Sequence, residues 1–439
     1  RHVIGVGRSE AALAADWPRV AAREALDVAA VLRADHWTTD LYYYDGPLDV
    51  PAWLQPDGFA RYLELAGSVR AEGPGVTLAR HEDAERPLVR RLDARRPRGT
   101  VKGAPRRPEG PARGVSCVGT GEWPLGMILR QVVKNEGIAL RGACDRRPEM
   151  LHLAGQALPF DYLTTDYDEL LADERTDMVV IATYHGSHAD LAIRALAAGK
   201  NVFLEKPPVI DEDQLGRLLA AEAESEGFLY VGYNRRFAPA TDVLARQLAE
   251  VSGPTTLNMV AHTYVVSPNS WYFWPSNGNR IISNVCHFID YALQLTHGAA
   301  PVRVTASPAE IGRPDQNVSL SIQFDDGSLA SITYTERGCD PGTTYFQRYQ
   351  VLKGDLTATI EDFKRLRVYR DGRKADGWRG PLDIGHGRQM ARVADALKRG
   401  EGSPVPIATT EQSARLVLAA ARSAEQGAPV ELEAAPARQ

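Results

Sequence analysis

Cysteine is scarce in this 439-residue chain. There are four, Cys117, Cys144, Cys286 and Cys339, and no two form a Cys-x-x-Cys pair. That removes the common zinc frameworks and a disulfide-stapled fold, leaving reduced thiols in a cytoplasmic protein as the expectation, with no metal site. No apolar run reaches the roughly 20 residues that span a bilayer, and no secretory leader pattern is visible behind Arg1. Charge of one sign is lacking too. A formal net charge of -5, from 51 Lys+Arg and 56 Asp+Glu, gives no general surface for nucleic acid or membrane. With 44% hydrophobic and 24% charged residues, the composition is that of a globular chain with room for two or three domains.

Residues 1–93 read as mixed, mostly helical structure of unknown role, with helical spacing at 21–32 and 59–69. Between these lies an aromatic group of Trp37, Tyr42, Tyr43, Tyr44 and Trp53. Gly5-Val6-Gly7 follows a short strand-like run, but no strand ending on an acid follows it, so it is not taken as a nucleotide turn. Residues 94–113 are rich in Pro, Gly and Arg, with seven basic residues against one acidic, and read as a linker.

From Gly114 the texture changes. Val115–Val118 reads as a strand, Gly119-Thr120-Gly121-Glu122-Trp123-Pro124 as a turn, Leu125–Glu136 as a helix, and Ile138–Cys144 as a second strand ending on Asp145. Glycine at 119 permits a tight turn, and glycine at 121 lets backbone approach a pyrophosphate. The helix start is expected to offer amides to the phosphates. Pro124 stands where a third glycine is usual. Asp145 is placed for the hydroxyls of an adenine ribose, favouring NAD. Arg146 and Arg147 beside it would suit a 2′-phosphate, so NADP stays open.

A βαβ unit follows: the apolar run Asp177–Thr183, a helix over Ser187–Ala198 closed by Gly199, and the strand Asn201–Leu204. Lys206, in Glu205-Lys206-Pro207, falls just past the carboxyl end of that strand, where open α/β sheets place ligands. A lysine that merely ends a strand is the commoner case, and an ammonium held there for proton transfer is the sharper one. Another helix (212–226) and strand (228–231) complete a doubly wound parallel sheet over 114–236. Residues 237–439 then show alternating strands near 256–260, 318–324, 329–335, 349–352 and 357–360, and helices at 283–296, 386–399 and 410–426. This predicts an α+β domain with a largely antiparallel sheet, carrying a polar-aromatic loop at Tyr264–Trp274.

Together these motifs resemble the Gfo/Idh/MocA oxidoreductase family over about residues 114–431. The matching pieces are Gly119-Thr120-Gly121, the Asp145 strand end, Val180–Thr183 with His188, Ala198–Pro207, Gly232–Phe237 and Asn284–Asp290. The resemblance implies hydride transfer between nicotinamide and a carbinol or keto carbon of a sugar, sugar nucleotide or cyclitol. Lys206 and His287 are then the catalytic pair. Gly119, Gly121, Glu122, Trp123, Asp145, Arg146, Thr183, Tyr184, His188 and Glu205 hold the cofactor, and Tyr233, Arg236 and Asn284 meet the substrate. A homo-oligomer, dimer or tetramer, is also implied.

Two positions depart from the family's pattern. Ser283 stands where many inositol-type members carry an aspartate four residues before the histidine, which moves proton transfer onto Lys206, aided by Tyr233 or His287. Tyr184-His185 replaces a frequent Pro-Asn. Two other readings compete: an NAD-dependent glycoside hydrolase working through transient oxidation, and a non-catalytic dinucleotide-binding protein. Net formation of NADH separates the first from a dehydrogenase.

Overall fold

The structure is a computed structural model that describes residues 112–121, 123–263, 275–310, 313–337 and 346–432, with backbone alone at 149, 310 and 313–316. Glu122, Cys339, the Tyr264–Trp274 loop and the expectations for residues 1–93 lie outside the described residues, as does nearly all of the linker.

The described residues fall into two compact units. One includes Arg147–Gln156, most of the helix α2 (Pro148–Ala157). The other holds both sheets. Its first sheet has six parallel strands, β1 (Arg113–Val118), β2 (Ile138–Cys144), β3 (Tyr162–Thr164), β4 (Met178–Ile181), β5 (Asn201–Leu204) and β6 (Leu229–Val231), in the order β3-β2-β1-β4-β5-β6. That order reverses direction between β1 and β4, the switch point at which doubly wound sheets bind dinucleotides. Strand β4 is buried along its whole length, which is why it reads as an unbroken apolar run. Its connecting helices begin with local caps: the Asp166 carboxylate takes the Asp168 amide at 2.8 Å before α3 (Tyr167–Ala172), and Asp211 takes the Gln214 amide at 2.8 Å before α5 (Glu212–Glu224). Between them α4 (His188–Ala197) returns the chain from β4 to β5.

The second sheet is larger. Its nine strands are β7 (Thr255–His262), β8 (Pro301–Glu310), β9 (Arg313–Phe324), β10 (Leu329–Thr335), β11 (Phe346–Lys353), β12 (Leu356–Glu361), β13 (Arg365–Arg370), β14 (Arg373–Arg379) and β15 (Val430–Glu431), in the order β14-β13-β12-β11-β7-β10-β9-β8-β15. Every pairing is antiparallel except the central β7–β10 (Leu329–Thr335) pair. Alternate residues of β7 and β10 are buried, such as Leu257, Met259, Ala330 and Ile332. These pack into one core with the helix α7 (Cys286–Leu295) and the helix α9 (Ile407–Gln426). The helix α8 (His386–Arg399) comes late in the chain, yet its Met390, Val393 and Leu397 pack with Val115, Cys117, Val180 and Phe203 of the parallel sheet. Its Gln389 donates to the Tyr230 hydroxyl at 2.7 Å. The parallel sheet is therefore covered in part by chain from beyond 237. Among the described residues, no helix is long and apolar enough to cross a membrane.

Candidate active site

The nucleotide half of the site is built at the β1 turn. Gly119 has φ +84°, and a Cβ there would lie 2.4 Å from the Ala182 carbonyl oxygen, so only glycine lets β1 and β4 end so close together. At Gly121 a Cβ would meet no heavy atom within 4 Å, leaving open space beside bare backbone where a pyrophosphate is expected. Asp145, at the end of β2, accepts from the Thr120 amide at 2.9 Å and the Thr120 hydroxyl at 3.2 Å. It therefore braces the turn from the position where a ribose diol would bind, and Arg146 beside it is exposed.

The helix expected over Leu125–Glu136 is shorter. A π-turn over Pro124–Ile128 leads into α1 (Leu129–Val132), and the chain then turns. Pro124 has no amide hydrogen, and the Leu125 amide is taken by the Gly121 carbonyl at 3.3 Å. These two positions therefore offer no donor to a phosphate, contrary to expectation. Trp123 is 45% exposed, hydrogen-bonds Glu205 through its indole, and sets its ring edge against His386 at 5.5 Å.

Replacing Asp145 by Ala should weaken NADH ten- to a hundredfold, the cost of a hydrogen bond to a charged acceptor, and NADPH distinctly less, because repulsion of the 2′-phosphate goes with the carboxylate. Fluorescence titration with both cofactors measures this. Equal losses would mean that Asp145 acts only through Thr120.

The reacting half lies past β5. The Lys206–Pro207 peptide is cis, and Lys206 is buried, its Nζ donating to the Ser283 carbonyl at 2.9 Å. Glu205 is buried beside it, accepting the Lys206 amide at 3.2 Å, and burial raises its carboxyl above the usual range. His188 was expected to touch cofactor. Instead its ring is buried, with Nδ1 2.7 Å from the Pro207 carbonyl and Nε2 3.0 Å from the Thr183 carbonyl. Neutral, the ring carries one N–H and donates to only one of these carbonyls, while lying between the ends of β4 and β5 beside the lysine loop. Burial outweighs the two carbonyls and holds its imidazole down at about 4. Thr183 shares its hydroxyl with Ser187 at 2.8 Å, and half-buried Tyr184 accepts the Ser187 hydroxyl on its carbonyl at 2.8 Å. His185 is buried with Nδ1 3.1 Å from the Asn277 carbonyl, and burial with nearby Lys206 keeps it well below the ordinary histidine range.

Facing this loop is a π-turn over Ile281–Val285 that runs directly into α7. Such turns change hydrogen-bond register and recur at functional sites. Here it carries both the Ser283 carbonyl that receives Lys206 and Asn284, whose side chain donates to the Tyr334 hydroxyl at 3.0 Å. His287 follows one turn on. Its Nδ1 is buried without a hydrogen-bond partner among the described residues, and its ring meets the Tyr233 ring edge-on at 6.2 Å. Burial, then Arg235, Lys206 and His386, keep this imidazole neutral well below its ordinary range. The Tyr233 hydroxyl, also buried, has no nitrogen or oxygen partner among the described residues.

Arg236 was expected at the substrate, and this is corrected. Its guanidinium is 8% exposed, holds the Asp290 carboxylate at 2.5 and 2.8 Å, and donates to Gln294 at 2.7 Å. Its neighbour Arg235 is the residue missed. It is buried, donates from Nε to Gln347 at 3.1 Å, lies 4.7 Å over the Phe288 ring, and depresses both His287 and His386. Two adjacent arginines were the signal, but sequence alone does not say which one faces which wall. His386 was missed as well, whereas His185 was noted only as part of the Tyr184-His185 departure.

A glycine turn at a sheet's switch point, an acid closing β2, and a lysine past β5 facing a helical histidine define a dinucleotide-binding Rossmann domain joined to a large open sheet. The comparisons agree: residues 114–233 match the model of the Gfo/Idh/MocA oxidoreductase family, NAD-binding Rossmann fold. Among relatives, an uncharacterised oxidoreductase, YrbE of Bacillus subtilis, is 27% identical over 302 residues, covering 62% of this chain and 83% of its own. Inositol 2-dehydrogenase of Rhizobium meliloti is 29% identical over 223 residues, covering 48% of this chain and 66% of its own. Among solved structures, levoglucosan dehydrogenase in complex with NADH and L-sorbose superposes with a TM-score of 0.66 at 20% identity, over 74% of this chain and 100% of its own. GenD2 from gentamicin A biosynthesis, in complex with NAD, gives 0.63 at 22% identity, over 76% and 100%. At such identities the structures establish the fold.

Proposed function

We propose that this NAD-binding oxidoreductase interconverts a carbinol and a ketone on a polyhydroxylated ring: a sugar, sugar nucleotide or cyclitol. The observation that carries the reading is Lys206, buried past β5 with its amine donating to the Ser283 carbonyl, beside a neutral His287 whose Nδ1 has no partner among the described residues. The relatives named above as inositol and levoglucosan dehydrogenases support the substrate class.

The cradle fits a dinucleotide. Gly119 permits the turn, Gly121 leaves room beside the backbone, and Asp145 reaches the ribose position. Bound there, the nicotinamide supplies the carbon that accepts or returns hydride. The chain supplies the rest. In the oxidising direction the Lys206 amine takes the hydroxyl proton while one N–H stays on the Ser283 carbonyl, which fixes the orientation of the amine. His287, neutral, offers a hydrogen bond to the same oxygen, and Tyr233 and Asn284 border the substrate. Ser283 is no base, so the proton rests on Lys206. A homo-oligomer belongs to the same reading, supported by exposed Val260, Leu329 and Tyr369 on the outer face of the nine-stranded sheet.

A panel of sugars, sugar nucleotides and cyclitols, followed by nicotinamide absorbance, tests the proposal. Stoichiometric NADH from at least one substrate is expected. Release of an aglycone without net NADH would assign a hydrolase instead, and NAD binding without turnover of any kind would assign a non-catalytic binder.

A further inference from the structure

Tyr233 and His287 meet across the site, and each is followed three residues later by one half of the same ion pair. Arg236 leaves the Tyr233 turn, and Asp290 stands one helical turn beyond His287. Their side chains are 8% and 2% exposed and join through Nε and Nη2 at 2.5–3.1 Å. The helix α9 adds Ser413, whose hydroxyl donates to Asp290 at 2.8 Å, and Gln294 takes the remaining Arg236 nitrogen at 2.7 Å. A second lock lies beside it. The Thr241 hydroxyl, within 2.8 Å of the Arg235 carbonyl, shares a hydrogen bond with the Tyr291 hydroxyl at 2.9 Å.

A buried ion pair is poor value as a stabiliser, because desolvation offsets the attraction and apolar replacements of similar volume are often neutral or better. Its attested use is to fix one geometry. The bidentate fork does so in direction as well as distance, which a lysine cannot reproduce. Here it joins the two backbone segments that carry the ring pair. A slip of α7 along its axis would separate His287 from both Tyr233 and Lys206, and the Arg236–Asp290 fork is what such a slip must break.

We infer that Arg236 and Asp290, with Ser413, are positioning residues that hold His287 in register against Tyr233 and Lys206. The inference rests on the oxidoreductase reading above, but its first test does not need a substrate.

The test uses the full chain carrying Arg236→Met with Asp290→Leu, which removes both charges together and so leaves no orphan charge. Melting within about 3 °C of wild type and NADH affinity within about twofold are expected, since no buried charge is left uncompensated and the nucleotide turn is untouched. The side-chain nitrogen signals of His287, assigned in histidine-labelled protein by their loss in His287→Gln, should move or broaden. With any substrate the wild type oxidises, kcat should fall about thirtyfold with KM little changed, the signature of misplacement rather than weakened binding. Unchanged His287 signals overturn the inference, as does an unchanged kcat. Should the double variant fail to fold, Arg236→Lys keeps the charge and loses the fork. It should shift the same signals and lower kcat about fivefold, and behaviour identical to wild type overturns the inference. If the wild type turns over nothing in the panel, the oxidoreductase reading fails while the His287 signals still decide this one.

Discussion

Lys206→Ala should lower kcat about a thousandfold, within the range that a positioned general acid–base contributes, while NADH affinity stays within about threefold. Both halves of that expectation come from placement. Lys206 stands past β5 with its amine on the Ser283 carbonyl, whereas the turn expected to hold the dinucleotide, Gly119–Gly121 with Asp145, is at the ends of β1 and β2. Lys206→Arg sharpens the result. A guanidinium keeps the positive charge and the donors but does not release a proton near neutrality. If charge alone mattered, the arginine variant would retain most activity. If proton transfer matters, it is nearly as poor as alanine. Steady-state kinetics beside NADH titration separates these outcomes, and an unchanged kcat in Lys206→Ala would remove the lysine from the chemistry.

The second large effect is acid sensitivity. His188 and His386 are buried and held at about 4, and His185 and His287 are also depressed by burial. An unfolded histidine titrates near 6.5. Between about 6.5 and 4 the unfolded chain therefore binds more protons than the folded one, and stability present above pH 6.5 is lost as pH falls. For His188 and His386 the linkage amounts to about 2 kcal/mol each by pH 5. The melting temperature should accordingly drop by about 10 °C or more between pH 7 and 5. His188→Gln, which keeps an N–H donor for one of the two carbonyls without a titrating ring, should flatten that slope. A melting temperature constant from pH 7 to 5 would mean that these rings are not held neutral.

Much of this was legible in the chain. The run Met178–Ile181 is buried on both faces and reads as unbroken apolar residues, and β10 alternates, so its bounds match the reading at Leu329 and Thr335. The strands β13 (Arg365–Arg370) and β14 (Arg373–Arg379) escaped because arginine and lysine crowd their open positions and hide the period. For β8 (Pro301–Glu310), prolines at 301 and 308 read as breaks, although Pro301 opens the strand and Pro308 lies beside a register irregularity. Helix α8 was legible in its limits but not in its partner, since a 3.6-residue period names a buried face and not the sheet beneath it. At the site, the family resemblance implied Lys206 and His287 as the catalytic pair. It said nothing of Arg236 turning away to Asp290 or of His188 lying between two carbonyls, because those depend on neighbours 54 and 19 residues away.

The most direct measurement is a crystal structure of the chain with NADH bound. The account predicts the pyrophosphate over Gly121, the ribose diol on Asp145, and the nicotinamide ring beside the Lys206 amine with His287 across the gap. A nicotinamide far from that amine, or a dinucleotide held elsewhere on the chain, would contradict it.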